Sequence, residues 1–341
     1  MTITQTDPRS VPDKRWELKA PYDWRAVLAV IVIAALLGIS SQRMEVDVLF
    51  SRLGEAVAAN LGFKEESAVG KGLGTMVRGL FPIAIAEQTP VERIPGFDPD
   101  TLPMFAYVEQ QTITANSYDV ETMQRVTETT TKEYLVKPFG YVARVAGKMV
   151  ETIEMAIWAT ILSVLLSVPL AIGNARNYTP NRAVYFACRA TVSFLRSLPE
   201  LIVAMFLVLA FGFGPVAGFL ALGLHAAGFL GKFYAEDIED ADRKPQEALE
   251  ALGAGKLRVL RAAVLPQVFP SYVAYTLYIL DRNVRMATVV GLVGAGGIGQ
   301  ELKGRFDMFQ YDHVGTILVA IFITVFALDQ ISARLRAKLI G

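Results

Sequence analysis

Six apolar stretches, each close to the length of a membrane span, dominate this 341-residue chain. A helix needs about 20 mainly apolar residues to cross a bilayer. The stretches lie near 24–42, 152–173, 183–212, 214–235, 268–297 and 314–333. With 53% hydrophobic residues overall, the composition points to a membrane protein rather than to two soluble domains. The expected fold is therefore an all-α integral membrane protein of about six transmembrane helices. Two stretches are irregular: the third holds Arg189, Arg196 and Pro199, and the fifth holds Asp281, Arg282 and Arg285. A kink or partial interfacial placement is expected in both.

The N-terminal region carries Arg9, Lys14, Arg15, Lys19 and Arg25 ahead of an apolar run from Ala26 to Ile39. This is the layout of a signal peptide, but no A-x-A site follows, so the run reads as an uncleaved first span. Basic residues also mark 174–182 (Arg176, Arg182), 236–267 (Arg243, Lys244, Lys256, Arg258, Arg261) and the tail (Arg334, Arg336, Lys338). Short loops at the other end hold only Lys303 and Arg305. The positive-inside rule then expects a multi-pass protein with both termini and the 236–267 loop in the cytoplasm. A formal net charge of zero gives no reason to expect a nucleic-acid partner. One cysteine and two histidines leave no basis for an internal disulfide or a Cys- or His-rich metal site.

Three regions follow: 1–42, the N-terminus and first span; 43–148, a polar insertion on the outer side; and 149–341, the transmembrane core. In the insertion, Thr-, Val- and Tyr-rich segments at 105–114 and 122–136 suit a small hairpin. Residues 141–151 read as an amphipathic helix lying on the membrane before the chain enters it. The insertion serves either as a solvated spacer or as a docking surface.

Within VVGLVGAGGIGQEL, residues 289–302, Gly294, Gly296 and Gly299 spell G-x-G-x-x-G, the dinucleotide-binding fingerprint. A membrane-bound NAD-dependent oxidoreductase would need a βαβ unit here and an acidic residue about 20 positions further on. Asp307 and Asp312 come too early, and an apolar span follows them. Gly294, Gly296, Gly297 and Gly299 instead read as a helix break that permits close backbone packing at a helix interface.

The loop EALEALGAGKLRVLRAAVLPQ, residues 247–267, carries a short apolar stripe of Ala248, Leu249, Ala251 and Leu252. Glu247 and Glu250 stand solvated or near a helix N-terminus, Gly253 and Gly255 stop the stripe, and Pro266 and Pro270 open the next span where a missing N–H is tolerated. By residue chemistry alone this is either an amphipathic connector or a helix that presents small and apolar side chains to a partner. A sensor or scaffold that binds through the outer insertion would leave this spacing unexplained.

The loop resembles permease subunits of ATP-binding-cassette importers, whose signature is E-A-A, three residues, Gly, nine residues, then I-x-L-P. Glu247, Ala248, Gly253, Leu265 and Pro266 stand at those spacings, with departures at Leu249 and Ala263. The resemblance implies the type I permease core, with residues 247–255 as a coupling helix seated in a cleft of a separate ATPase. Glu247, Ala248, Leu249, Leu252, Gly253, Gly255 and Pro266 would form that element. It also implies no cofactor in this chain, since ATP and Mg would be bound by a cytoplasmic ATPase dimer. The further partners would be a second permease copy, a periplasmic substrate-binding protein and membrane lipid, in a bacterial inner membrane.

The segments NVRMATVVGLVGAGGIG, LPQVFPSYVAYTLY and FGFGPVAGFLALGLHAAGFLGK are similar to those of phosphonate-importer permeases. This resemblance covers about 150–339 and implies import of phosphonate, phosphite or a related phosphorus oxyanion, with another small solute as the alternative. Ionisable groups inside a span should pair or face a water-filled cavity, which makes Arg282, Arg285, Asn283, Arg196 and His225 pathway candidates. The same residues also permit self-neutralising pairs four apart, Asp281 with Arg285 and Arg196 with Glu200. For His225 a helix–helix hydrogen bond is the simpler role.

Overall fold

The computed structural model describes residues 24–60, 67–99, 101–118 and 125–340. The extreme N-terminus, with four of the five basic residues noted above, lies outside them. The chain divides into two units, residues 1–75 and 76–341. In the first, α1 (Trp24–Arg43) is apolar from Ala26 to Ile39 and none of its residues is buried, as expected of a helix whose surroundings are lipid. It is followed by α2 (Val46–Asn60), and α3 (Ala68–Leu80) runs across the division. Neither α2 nor α3 was foreseen in the polar insertion.

The second unit opens with a three-stranded antiparallel sheet of order β1-β3-β2, made of β1 (Glu87–Pro90), β2 (Tyr107–Tyr118) and β3 (Arg125–Lys137). β2 and β3 form the expected hairpin, paired from Tyr107↔Val136 to Tyr118↔Arg125. Sequence analysis did not find β1, which is only four residues long and ends in Pro90. The sheet is anchored at its base: Leu135 and Val136 are buried, and Ala84 bonds through both backbone groups to the start of the last long helix.

The helical core comprises α4 (Gly140–Asn174), α5 (Arg182–Ser197), α6 (Glu200–Phe211), α7 (Pro215–Asp240), α8 (Arg243–Ala251), α9 (Lys256–Val259), α10 (Leu265–Gly291), α11 (Gly297–Asp307) and α12 (Tyr311–Ile340). Among the described residues five helical segments are long and apolar enough to cross a membrane, or six if the bent α5–α6 pair counts as one. The third apolar stretch is thus not a straight span. Pro199 forces Leu198 into an extended conformation (ψ 123°), and α5 and α6 meet at 91°.

The expected kink is therefore present in the third stretch, whereas two expectations change. Residues 141–151 do not form a separate surface helix, because α4 runs unbroken for 35 residues. Tyr141, Val145 and Met149, one turn apart, pack on Ile298 and Ile317 instead of on lipid. The helix that contains Pro266 starts ten residues upstream of it, at Lys256. A π-turn at Leu260–Val264, in which the Leu265 N–H reaches back to the Leu260 carbonyl, carries the chain past the missing proline donor.

The centre of the unit is the α4–α7 pair. α7 presents Gly218, Gly223, Gly228 and Gly231 to its neighbours, which lets backbones approach closely. A Cβ at Gly223 would lie 3.1 Å from the Ala159 carbonyl oxygen of α4. Around this pair, Leu230, Tyr234, Ile238 and Val264 form one buried cluster and Met155, Ala221, Leu222 and Val290 another.

Candidate functional site

The α7–α10 connection is held by side-chain hydrogen bonds at its start and by backbone bonds at its turn. Asp242 caps α8 by accepting from the Lys244 N–H at 3.1 Å. Gln246 donates to the Ala241 and Asp242 carbonyls at 3.1 and 3.0 Å and accepts from the Tyr178 hydroxyl at 2.7 Å. Gln267 of α10 accepts from the Asp242 N–H at 3.0 Å. Tyr178 stays a donor, because burial and the nearby Glu250 carboxylate push its phenol pKa up.

α8 ends in a Schellman motif. The Ala254 N–H reaches the Leu249 carbonyl, the Gly253 N–H reaches the Glu250 carbonyl, and Gly253 takes the left-handed φ of +79° that the motif needs. The helix therefore starts and stops four residues earlier than the 247–255 expected. Asp242 sets its start, and Leu252, Gly253 and Gly255 belong to the turn rather than to the helix. No residue of α8 is buried, and Leu252 and Leu257 are 84% and 77% exposed. A nine-residue helix is marginal on its own. This one leaves its apolar tip unpartnered within the described residues.

A second constellation lies at the α5–α6 bend, about midway along α7. Glu200, the first residue of α6, is buried and forms an ion pair with Arg282 of α10 through the same oxygen that meets His225 Nε2 of α7 at 3.0 Å. The other ring nitrogen of His225 bonds the Leu198 carbonyl at 2.9 Å. The Arg196 and Arg282 guanidiniums lie 5.3 and 5.0 Å from the centroid of the Phe229 ring. Arg196 Nε is buried without a partner.

Of the five pathway candidates, the structure brings together Arg196, Arg282 and His225 and separates the other two. Asn283 is 1% exposed and donates to Thr160 of α4 at 3.0 Å, so it faces a packed helix interface and not an open path. Arg285 pairs with Asp281 at 2.7 Å on its own helix. The Arg196–Glu200 pair does not form, because Pro199 ends the helix that would have placed those residues on one face. Sequence reasoning saw Glu200 only as that partner and missed Phe229. A carboxylate next to a proline in an apolar stretch was the available signal for Glu200.

The glycine run lies between two helices. Gly294, Gly296 and Gly297 have φ of +95°, +83° and +67°, and α11 begins where the Glu151 carboxylate and Thr152 hydroxyl of α4 accept from the Gly297 and Ile298 N–H groups at 2.9 and 2.8 Å. A Cβ at Gly299 would fall 2.0 Å from the Thr288 carbonyl oxygen. The close packing seen here is within the chain, against α4, α7 and α10. No strand adjoins the run, so it is not the turn of a dinucleotide-binding βαβ unit.

Membrane-length helices and a broken span define a multi-pass membrane protein. Residues 151–338 match the family described as binding-protein-dependent transport system inner membrane component, and the chain belongs to that family. It is 60% identical over 261 residues to "Putative phosphite transport system permease protein HtxE" of Stutzerimonas stutzeri, covering 76% of this chain and 100% of that one. It is 44% identical over 188 residues to "Phosphite transport system permease protein PtxC" of the same species, covering 55% of this chain and 68% of that one. Among solved structures, the inward-facing MetNI methionine ABC transporter shares the fold, with a TM-score of 0.51 at 23% identity over 57% of this chain and 95% of that one.

Proposed function

We propose that this chain is the membrane-spanning subunit of an ATP-driven importer that moves phosphite, phosphonate or a related phosphorus oxyanion by alternating access. The observation that carries the reading is the 60% identity that extends over the whole length of a relative described as a phosphite permease. The core 149–341 is the transport unit and 43–148 its outer appendage. Both termini and α8 face the cytoplasm, where the basic short loops lie. Glu247, Ala248, Leu249 and the Leu252–Gly255 turn dock in a cleft of an ATPase dimer that binds ATP and Mg. This chain performs no hydrolysis. A second permease copy completes the pathway, and a periplasmic binding protein delivers the anion from the other face. Rigid-body rocking of the two copies then exposes the anion to one side at a time.

The test is reconstitution of the chain with its ATPase and binding-protein partners in liposomes. The expected result is ATP-dependent uptake of phosphite or methylphosphonate with no uptake of D-methionine. Uptake of D-methionine alone overturns the substrate assignment, and failure of any ATPase to co-purify overturns the importer reading.

A further inference from the structure

Arg144, Arg282, Arg285 and Arg305 each hold a carboxylate. Arg182, Arg189 and Arg196 of α5 hold none among the described residues. They stand seven residues apart, two turns of helix, so they descend one face in steps of about 10 Å. Two adjoining clefts run along this face. One, near the start of the helix, is lined by Arg176, Arg182 and Arg189. The other is lined by Arg176, Arg189, Arg196 and Lys232 and reaches toward the bend that holds Glu200.

The carboxylates of the second cleft are already engaged. Glu236 pairs with Lys232 at 3.3 Å, and Glu239 accepts from the backbone N–H of Arg176 at 2.7 Å. Tyr185 orients the cations without neutralising them, since its hydroxyl accepts from Arg189 at 2.8 Å and from Arg176 at 3.1 Å. The innermost step, Arg196, has a buried Nε with no partner.

We propose that Arg196, Arg189 and Arg182 form a ladder along which the phosphorus oxyanion leaves the Glu200 bend for the cytoplasmic end of the protein. This rests on the importer reading above and adds the route. Guanidinium forks match phosphoryl oxygens in shape and charge. Spacing of about 10 Å lets a small anion engage one fork at a time, so each site is weak enough to release what it holds. Uncompensated cations within a membrane are costly unless they face water or a passing anion, and the clefts supply that setting.

The test uses the assembled importer in liposomes with phosphite as the probe, comparing wild type with R182Q, R189Q, R196Q and the matching lysine variants. Co-purification of the ATPase checks assembly. The expected result is at least a tenfold fall in maximal uptake for R189Q and R196Q, a smaller fall for R182Q, and recovery of most of the rate with lysine. If R196Q does not assemble, R189Q decides, because Arg189 is exposed. Wild-type rates in R189Q overturn the ladder while leaving the importer reading intact. No phosphite uptake by wild type overturns the substrate reading and the ladder with it. Parallel measurements in phosphatidylcholine vesicles with and without phosphatidylglycerol separate free anion from lipid phosphate. The same defect in both supports the ladder, and a defect confined to the anionic vesicles assigns the arginines to lipid headgroups and overturns it.

Discussion

Glu200 ties three helices together, and its partners show how one proline redirects a charge. Read linearly, Arg196 and Glu200 are a helical i, i+4 pair. The bend at Pro199 removes that option and turns the carboxylate toward Arg282, 82 residues away, and toward His225. The Asp281–Arg285 pair forms as its spacing predicts, because α10 is unbroken there. Short-range pairing was therefore legible wherever the helix continued, and illegible where a proline stood between the partners. Removing one member of a buried pair strands the other charge at a cost of about 3–5 kcal/mol. With the Arg282 side chain 23% exposed, R282Q is expected near the low end of that range, read as a lowered unfolding temperature in detergent. The double variant E200Q/R282Q should lose less than R282Q alone, since no charge is left unpaired. An equal or greater loss would show that the pair contributes little beyond packing.

At the scale of elements, α8 was recognisable from its apolar stripe and from the glycines that stop it, while the signal for its start was overlooked. Asp242 is a strong N-cap residue, and Gly253 can take the positive φ that a Schellman turn requires. What could not be read was its register, since the apolar stripe continues into Leu252 although the helix does not. The continuity of α4 was obscured for a related reason. Its first turns are half polar because they pack against α11 and α12 inside the protein, and a sequence alone does not say what lies on the apolar side. Gly253→Asp, which places a branched, charged side chain at φ +79°, and Glu247→Lys, which reverses a charge on the exposed face, should leave the chain inserted while abolishing coupling. Each should lower uptake more than tenfold and remove the stimulation of ATP hydrolysis by loaded binding protein. Normal stimulation in either variant would reject α8 as the coupling element.

The whole molecule adds a three-stranded sheet to a helical core, and the sheet is fixed at its base through Ala84, Ile85 and the Glu87–Arg144 ion pair. The far half of the β2–β3 hairpin runs through residues 113–118 and 125–130, beyond that base. Shortening it by joining the paired residues 112 and 131 with a two-residue turn should preserve insertion and assembly. If the hairpin receives the binding protein, uptake should fall at least fivefold at limiting binding protein and recover as that protein is raised. Unchanged uptake would make it a spacer. At the opposite end, the helix that leaves the α8 turn passes its π-turn and continues to Gly291 as one segment of 36 residues, a rod about 54 Å long. Near its far end stands Arg282. One degree of tilt at the α8 end of such a rod displaces the other by about 0.9 Å, from that same length. On the importer reading proposed above, the α8 turn and the Glu200 bend would be the handle and the latch of a single lever: a small push on the first would stretch the ion pair that holds the second.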